Sequence, residues 1–94
     1  MKSLYAFNND HDLLTASKEG DETAFRMLFE KYWDDLFKIA LRRLYSADDA
    51  KDILQDVFLS FWKNIHHITL EESLGGYLYT ALRNKIFNHL EKDN

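Results

Sequence analysis

Carboxylates at helical spacing are the first candidates for chemistry in this chain. Asp48, Asp52 and Asp56 recur every four residues and would share one face of a helix, with Asp49 and Gln55 beside them. On an exposed helix, like charges at this spacing repel by roughly 0.2–0.5 kcal/mol per pair. The row therefore indicates a surface for a basic partner, or else a solvated face whose first acids are favoured by the helix dipole. The dipole does not account for Asp56, which lies two turns further on.

A second candidate set lies near the C-terminal end and combines aromatic rings, cations and amides. Its members are Tyr77, Tyr79, Arg83, Asn84, Lys85, Phe87, Asn88 and Lys92. Aromatic rings stack on unpaired bases, cations bind phosphates, and asparagine amides hydrogen-bond to base edges. This set suits single-stranded or opened DNA. The same residues are also compatible with core aromatics and solubilising charges.

Patterns typical of enzymes are missing from the sequence. There is no glycine-rich phosphate loop, and nothing places paired carboxylates in an apolar pocket. His66 and His67 could bind a metal with Glu71 or Glu72, but adjacent residues of an extended segment point to opposite sides. The lack of cysteine excludes disulfides, thiolate ligands and a cysteine nucleophile. We expect a non-enzymatic protein with no metal and no cofactor.

Size and composition are those of one small globular domain. The chain has 94 residues, of which 46% are hydrophobic and 15% aromatic, enough for a single core. A formal net charge of −4 argues against a protein that coats DNA non-specifically, since such binding neutralises many phosphates. No apolar stretch is long enough to span a bilayer, and the N-terminus lacks the apolar core of a signal peptide. We expect a cytoplasmic protein without membrane insertion.

Hydrophobic periodicity predicts an all-α fold that would position both sets of residues. We expect a compact bundle of three main helices and a short N-terminal helix, over about 21–45, 47–64, 74–92 and 10–19. Residue types that cap helix N-termini lie at three of the predicted starts: Asn9 or Asp10, Asp21, and Ser46 with Asp49. Residues 1–8 are expected to be a flexible leader. Residues 64–74 are expected to be a loop, and it would be long for a helical bundle.

Three apolar stripes predict the core of the bundle. The second helix contributes Ala24, Phe25, Leu28, Phe29, Tyr32, Trp33, Leu36, Phe37, Ala40, Leu41 and Leu44. The acidic helix contributes Ala50, Ile53, Leu54, Val57, Phe58, Phe61 and Trp62. The last helix contributes Leu78, Ala81, Leu82, Ile86 and Leu90.

Three ordered blocks of the sequence resemble extracytoplasmic-function (ECF) sigma factors over about residues 13–92. The acidic segment, DDAKDILQDVFLSFW, is similar to region 2.2, and its matches are Asp49, Ala50, Asp52, Ile53, Gln55, Asp56, Val57, Phe58 and Trp62. The segment before it is similar to region 2.1 through Gly20, Asp21, Ala24, Phe25, Leu28, Phe29 and Tyr32. Downstream, GYLYTALRNKIFNHL is similar to the family's W-L-Y-x-I-A-R-N segment through Leu78, Tyr79, Arg83 and Asn84.

The resemblance implies a partner for the carboxylate row. Region 2.2 of the family docks on the clamp helices of the RNA polymerase β′ subunit. Carried over to this chain, the polymerase-binding residues are Asp49, Asp52, Gln55 and Asp56. Trp62 is expected to anchor the helix in the core.

The resemblance also implies that the loop before the last helix and the first half of that helix open the promoter −10 element and hold a flipped base of the non-template strand. Asn84 would hold that base, and Arg83 and Lys85 would contact phosphates. Tyr77 and Asn88 complete the expected DNA-binding set. Tyr77 stands where the family usually has Trp, which keeps an aromatic surface. Thr80 stands where Arg is common, which removes one phosphate contact.

The resemblance finally implies what lies beyond this chain. The family's helix-turn-helix domain, which reads the −35 element, has no counterpart here, so we expect residues 9–94 to be the N-terminal domain of a longer factor. An anti-sigma protein is an expected partner. The alternative is a helical protein–protein interaction module or decoy regulator without DNA binding, which the negative net charge favours.

Overall fold

A computed structural model describes residues 9–69 and 73–92 of the chain. These residues form four α-helices and one 3₁₀ turn: α1 (Asp10–Lys18), α2 (Glu22–Leu44), α3 (Ala47–Lys63), the turn Ile65–His67, and α4 (Leu74–Lys92). No strand occurs in the two described ranges. The predicted all-α bundle is therefore confirmed, with helix limits within one residue of those expected. The predicted leader, residues 1–8, lies outside the described residues.

The predicted N-terminal caps form at the first three helices. The Asn9 side chain accepts a hydrogen bond from the Asp12 amide at 2.9 Å, and Asp21 accepts from the Ala24 amide at 3.1 Å. Ser46 accepts from the Asp49 amide at 3.2 Å. Each bond satisfies a backbone donor that has no partner within its helix. The caps therefore set where the helices begin.

The turn between α2 and α3 uses a residue that the sequence does not mark for it. Tyr45 has φ 56°, in the left-handed region, and its amide donates to the Leu41 carbonyl at 2.9 Å. A non-glycine residue usually avoids this conformation because its Cβ approaches the carbonyl oxygen, at a cost of about 1–2 kcal/mol. The Tyr45 side chain is 90% exposed. The turn between α2 and α3 is therefore stabilised by a backbone hydrogen bond and not by burial of the tyrosine.

Aromatic contacts join α2 to α3. Phe29 lies 4.8 Å from Phe58 between ring centroids, and Phe25 lies 5.7 Å from Phe61. Later positions on α2 meet earlier positions on α3, so the two helices are antiparallel, as their short connection predicts. Helix α4 packs against both, and α1 packs against the first part of α2. The core that results includes Leu28, Leu54, Phe61, Leu78 and Leu82.

Three residues predicted for the core lie at the surface instead. Leu41, Trp62 and Leu90 are 37%, 37% and 43% exposed. Leu90 lies one turn beyond Ile86, the last buried residue of α4. The prediction was wrong for these residues because periodicity identifies the apolar side of a helix, whereas neighbouring helices decide how much of that side is covered. For Trp62 the correction also removes its expected role as a core anchor.

The predicted loop of residues 64–74 is more ordered than expected in its first half. It contains the 3₁₀ turn, and both Ile65 and Ile68 are buried. Two isoleucines three residues apart are the signal for this turn, since side chains at that spacing align on a 3₁₀ helix. Residues 70–72 lie outside the described ranges.

The packing of Phe61 yields a prediction about stability. Phe61 is 1% exposed and contacts the rings of Phe25 and Tyr77. We expect Phe61→Ala to lower the free energy of unfolding by about 3–5 kcal/mol, because it removes buried apolar area and leaves a cavity. Urea denaturation followed by circular dichroism measures this change. Phe87, which is 61% exposed, is the matched control, and Phe87→Ala should change stability by no more than about 0.5 kcal/mol. Equal effects of the two variants would contradict the assignment of the core.

Candidate functional site

The carboxylate row lies on the outward side of α3. Asp48, Asp52, Gln55 and Asp56 are exposed, whereas the buried residues of the helix, among them Leu54 and Val57, face the bundle. Within residues 9–69 and 73–92, neither Asp52 nor Asp56 forms an ion pair or a side-chain hydrogen bond. The mutual repulsion of these two carboxylates is therefore not relieved inside the described part of the chain.

Asp49 has a different environment from the rest of the row. Its carboxylate lies 3.8 Å from His89 Nε2 on α4, and its side chain is 48% exposed. Its amide donates to the Ser46 cap. Asp49 thus links the start of α3 to the end of α4, while Asp52 and Asp56 remain directed at solvent.

An apolar groove of 780 Å³ runs beside the carboxylate row, between α2 and α3. Its lining includes the rings of Phe25, Phe29, Phe58 and Trp62, the side chain of Leu59, and the polar groups of Glu22, Arg26, Glu30 and Gln55. Gln55 therefore belongs to the row and to the rim of the groove at once. Leu59 is 52% exposed. The groove lets a partner combine apolar contacts with contacts to the carboxylates.

Sequence reasoning missed this groove, although two residues carried a signal for it. Leu59 is an apolar residue on the exposed side of α3, outside the predicted stripe. The Trp62 ring meets Phe25 edge-on at 4.6 Å between centroids, and both rings line the groove. An apolar residue beside a charged row is a reason to expect a contact surface and not only a solvated face.

The five predicted DNA-binding residues do not share one face of α4. Tyr77, Asn84 and Asn88 are separated by seven and four residues, so they lie along one flank. Arg83 is exposed on another side. Lys85 is only partly exposed, and it follows the buried Leu78 by seven residues, so it lies close to the packed side. Tyr77 is 37% exposed and its ring centroid is 6.0 Å from that of Phe61.

A shallow cleft between α2 and α4 adds a cation to this surface. The cleft has a volume of 350 Å³ and is lined by Arg43, Arg83, Asn84, Ile86, Phe87 and Leu90. Arg43 is the last arginine of α2, where a cation is favoured by the helix dipole. Arg43 also lies beside Arg83 in the cleft, and this position follows from the packing of α2 against α4. Two guanidinium groups and an exposed ring then border Asn84.

The two histidines considered as metal ligands lie in the 3₁₀ turn. His66 and His67 are both exposed. Their suggested partners, Glu71 and Glu72, lie outside the described residues. Over the described ranges, no group of three or more histidine, cysteine, aspartate or glutamate side chains is placed to hold a metal ion. None of the helices in those ranges combines the length and apolar composition that a bilayer-spanning segment requires.

Comparison with known proteins identifies the family to which these surfaces belong. Residues 28–94 match the model of sigma-70 region 2. Because the match covers more than half of the chain, this protein belongs to the sigma-70 region 2 family. The resemblance to ECF sigma factors that the sequence motifs predicted is confirmed by the curated relatives.

Three curated relatives are similar over most of this chain. The ECF RNA polymerase sigma factor SigW of Bacillus subtilis is 27% identical over 75 residues, which are 80% of this chain and 40% of the relative. The RNA polymerase sigma-H factor of Pseudomonas aeruginosa is 26% identical, over 86% of this chain and 42% of the relative. For the ECF sigma factor SigM of Mycobacterium tuberculosis the identity is 27%, over 89% and 43%. The chain therefore spans about two fifths of the length of these relatives.

Proposed function

We propose that this chain is the region 2 domain of an alternative sigma factor of the ECF type. In this role it binds the RNA polymerase core through α3 and the groove, and it engages the promoter −10 element through α4. The main support for the proposal is the row of exposed carboxylates on α3, the helix whose sequence resembles the family's polymerase-binding region; among the described residues, Asp52 and Asp56 of this row have no ion-pair partner. Family membership supports the same assignment.

The proposed polymerase partner is the pair of clamp helices of the β′ subunit. Asp52, Gln55 and Asp56 would meet its basic residues, while the groove would accept apolar side chains. Because Asp52 and Asp56 have no ion-pair partners among the described residues, docking through these two carboxylates breaks no salt bridge within that part of the chain. Exposed charges of this kind contribute mainly to orientation and to the rate of association. Asp49 also belongs to the proposed surface, since 48% of its side chain is exposed.

The proposed DNA contact is a flipped base of the non-template strand. Asn84 has the amide that can hydrogen-bond to its edge, and Arg83, Lys85 and Arg43 would bind phosphates on either side. Tyr77 and Asn88 extend the surface along the helix. Unstacking a base costs a few kcal/mol, and these contacts must offset that cost. The net charge of −4 is consistent with weak DNA binding before the polymerase is engaged.

Two further elements of the proposal lie beyond this chain. A helix-turn-helix domain would read the −35 element in the remaining length of a factor as long as the curated relatives. An anti-sigma protein would hold the factor inactive by covering the carboxylate row or the DNA-binding side of α4. The second candidate function, a helical interaction module without DNA binding, is favoured by the negative net charge and by the low basic content at the end of the sequence, where Lys92 stands between Glu91 and Asp93.

A charge reversal on α3 tests the polymerase assignment. We expect Asp52→Lys/Asp56→Lys to weaken binding to an isolated β′ clamp-helix fragment by roughly 10- to 100-fold, because two attractions become repulsions. Both residues are exposed, so the helical content should not change. Isothermal titration calorimetry and circular dichroism measure the two properties.

The matched control reverses two carboxylates elsewhere on the surface. Asp34 and Asp35 are exposed on α2 and do not line the groove. Asp34→Lys/Asp35→Lys changes the net charge by the same amount and should leave the affinity within about threefold, a difference expected from long-range charge alone. Unchanged affinity of Asp52→Lys/Asp56→Lys, or an equal loss of affinity in the control, would contradict the assignment of α3 as the polymerase-binding helix.

Two substitutions on α4 separate base recognition from phosphate binding. With the domain bound to polymerase core, single-stranded oligonucleotides with randomised bases report both preference and affinity. Asn84→Ala should relax the preference at one base, at a cost of about 1–3 kcal/mol for the preferred base. Arg83→Gln should weaken binding to all sequences alike, and it should reduce the slope of log affinity against log salt concentration by about 0.7. The control is Arg42→Gln, an exposed arginine of α2 that lines neither the groove nor the cleft, and it should change neither property. A loss of base preference in Arg83→Gln alone would reverse the proposed roles.

A further inference from the structure

Helix α1 is bonded to the segment that follows α3. Lys18, in the last turn of α1, donates from Nζ to the Ile68 carbonyl oxygen at 2.6 Å. The lysine is partly buried, and Ile68 is buried. This contact joins residues fifty positions apart and holds the end of the described connection after the 3₁₀ turn.

The other end of the connection contacts Tyr32 of α2, which is itself hydrogen-bonded to α1. The Tyr32 hydroxyl donates to the Asp10 carboxylate of α1, and the Tyr32 ring lies against Gly75 in the first turn of α4. Lys31 Nζ also donates to Asp10, at 2.6 Å. Tyr32 thus joins α2 to α1 by a hydrogen bond and meets α4 through the packing of its ring.

The first turn of α4 is held by a cap from its own sequence and by the Tyr32 ring. The first amides of a helix have no partner within it. In α4 the Gly76 amide donates to the Ser73 hydroxyl at 3.0 Å. The Tyr32 ring packs on the same turn at Gly75.

Two properties of Tyr32 make this link specific. Burial raises the pKa of the Tyr32 hydroxyl far above its ordinary value, and the hydrogen bond to Asp10 raises it further, so the group keeps its proton at any physiological pH. The ring also lies against Gly75, where a Cβ atom would come within 3.2 Å of Tyr32 Cε1. The close contact favours glycine at this position on grounds of space.

We propose that Lys18 and Tyr32 are positioning residues that fix the two ends of the α3–α4 connection and thereby set the base preference of α4. Tyr77 directly follows the turn that Tyr32 holds, so any shift of that turn moves a DNA-binding ring. The inference rests on the proposed function of α4, and it extends that function to a helix, α1, that does not contact DNA. Neither Lys18 nor Tyr32 lies among the residues proposed to bind polymerase or DNA.

Conservative variants remove each bond and keep the packing. Tyr32→Phe deletes the hydroxyl and retains the ring against Gly75, while Lys18→Met deletes the ammonium group and retains the stem. The controls are Tyr45→Phe and Lys38→Met, whose side chains are exposed and make the same chemical changes elsewhere. Lys18→Arg, which can still donate to Ile68, should restore the behaviour of the wild type.

Amide hydrogen exchange measures the ends of the connection directly. In Tyr32→Phe the ring against Gly75 loses its hydrogen bond to Asp10. We therefore expect amide exchange in the first turn of α4, around Gly75, to rise roughly three- to tenfold, the change expected when one hydrogen bond is lost. In Lys18→Met the rise in amide exchange should appear over residues 65–69. Unchanged exchange in both variants, or equal changes in the controls, would overturn the proposal.

Base preference distinguishes positioning from simple stabilisation. With randomised single-stranded oligonucleotides and polymerase core, the ratio of preferred to non-preferred binding should fall at least about threefold in each variant, while affinity for the β′ clamp-helix fragment stays within about twofold. A uniform loss of both activities would show a structural role only and would overturn the proposal. If the wild type itself shows no base preference, the proposed DNA role of α4 fails, and the exchange data alone decide whether the two bonds hold the connection.

Discussion

The aromatic packing of α3 against α2 is the interaction on which the other surfaces depend. Phe58 and Phe61 can be buried only if they face the rings of Phe25 and Phe29. That choice fixes the rotation of α3 about its own axis. The carboxylates at the intervening positions, Asp52 and Asp56, are then directed at solvent whatever their mutual repulsion. Apolar burial, at roughly 25 cal/mol per Å², exceeds the few tenths of a kcal/mol that each like-charge pair costs.

The same packing separates the two proposed surfaces. The outward side of α3 and the groove present carboxylates and exposed apolar side chains. The exposed side of α4 presents amides and, together with Arg43 of α2, cations. Opposite charge character on separate helices suits a domain that meets a protein and a nucleic acid at once. The Lys18 hydrogen bond connects α1 to the segment after α3, and the Tyr32 hydrogen bond connects α1 to α2; these two bonds are the basis for the proposed influence of α1 on α4.

Sequence reasoning succeeded where the physical cause is local. Helix starts follow from side chains three residues from the amide they cap, as at Asn9, Asp21 and Ser46. The antiparallel pairing of α2 and α3 follows from a short connection. Features that depend on neighbouring helices were missed or misplaced. Trp62 and Leu90 carry the apolar pattern of core residues, yet 37% and 43% of their surfaces remain exposed. Arg43 lies beside Arg83 because α2 packs against α4.

If the carboxylate side of α3 and the exposed side of α4 bind different partners, chemical-shift mapping by nuclear magnetic resonance should distinguish the two surfaces. The chain would be titrated first with a β′ clamp-helix fragment and then, in a separate sample, with single-stranded DNA. The account predicts that the fragment shifts amides around Asp52, Asp56 and the groove, and that DNA shifts amides around Asn84. Shifts from the fragment confined to α4, or one common set of shifts for both ligands, would contradict it.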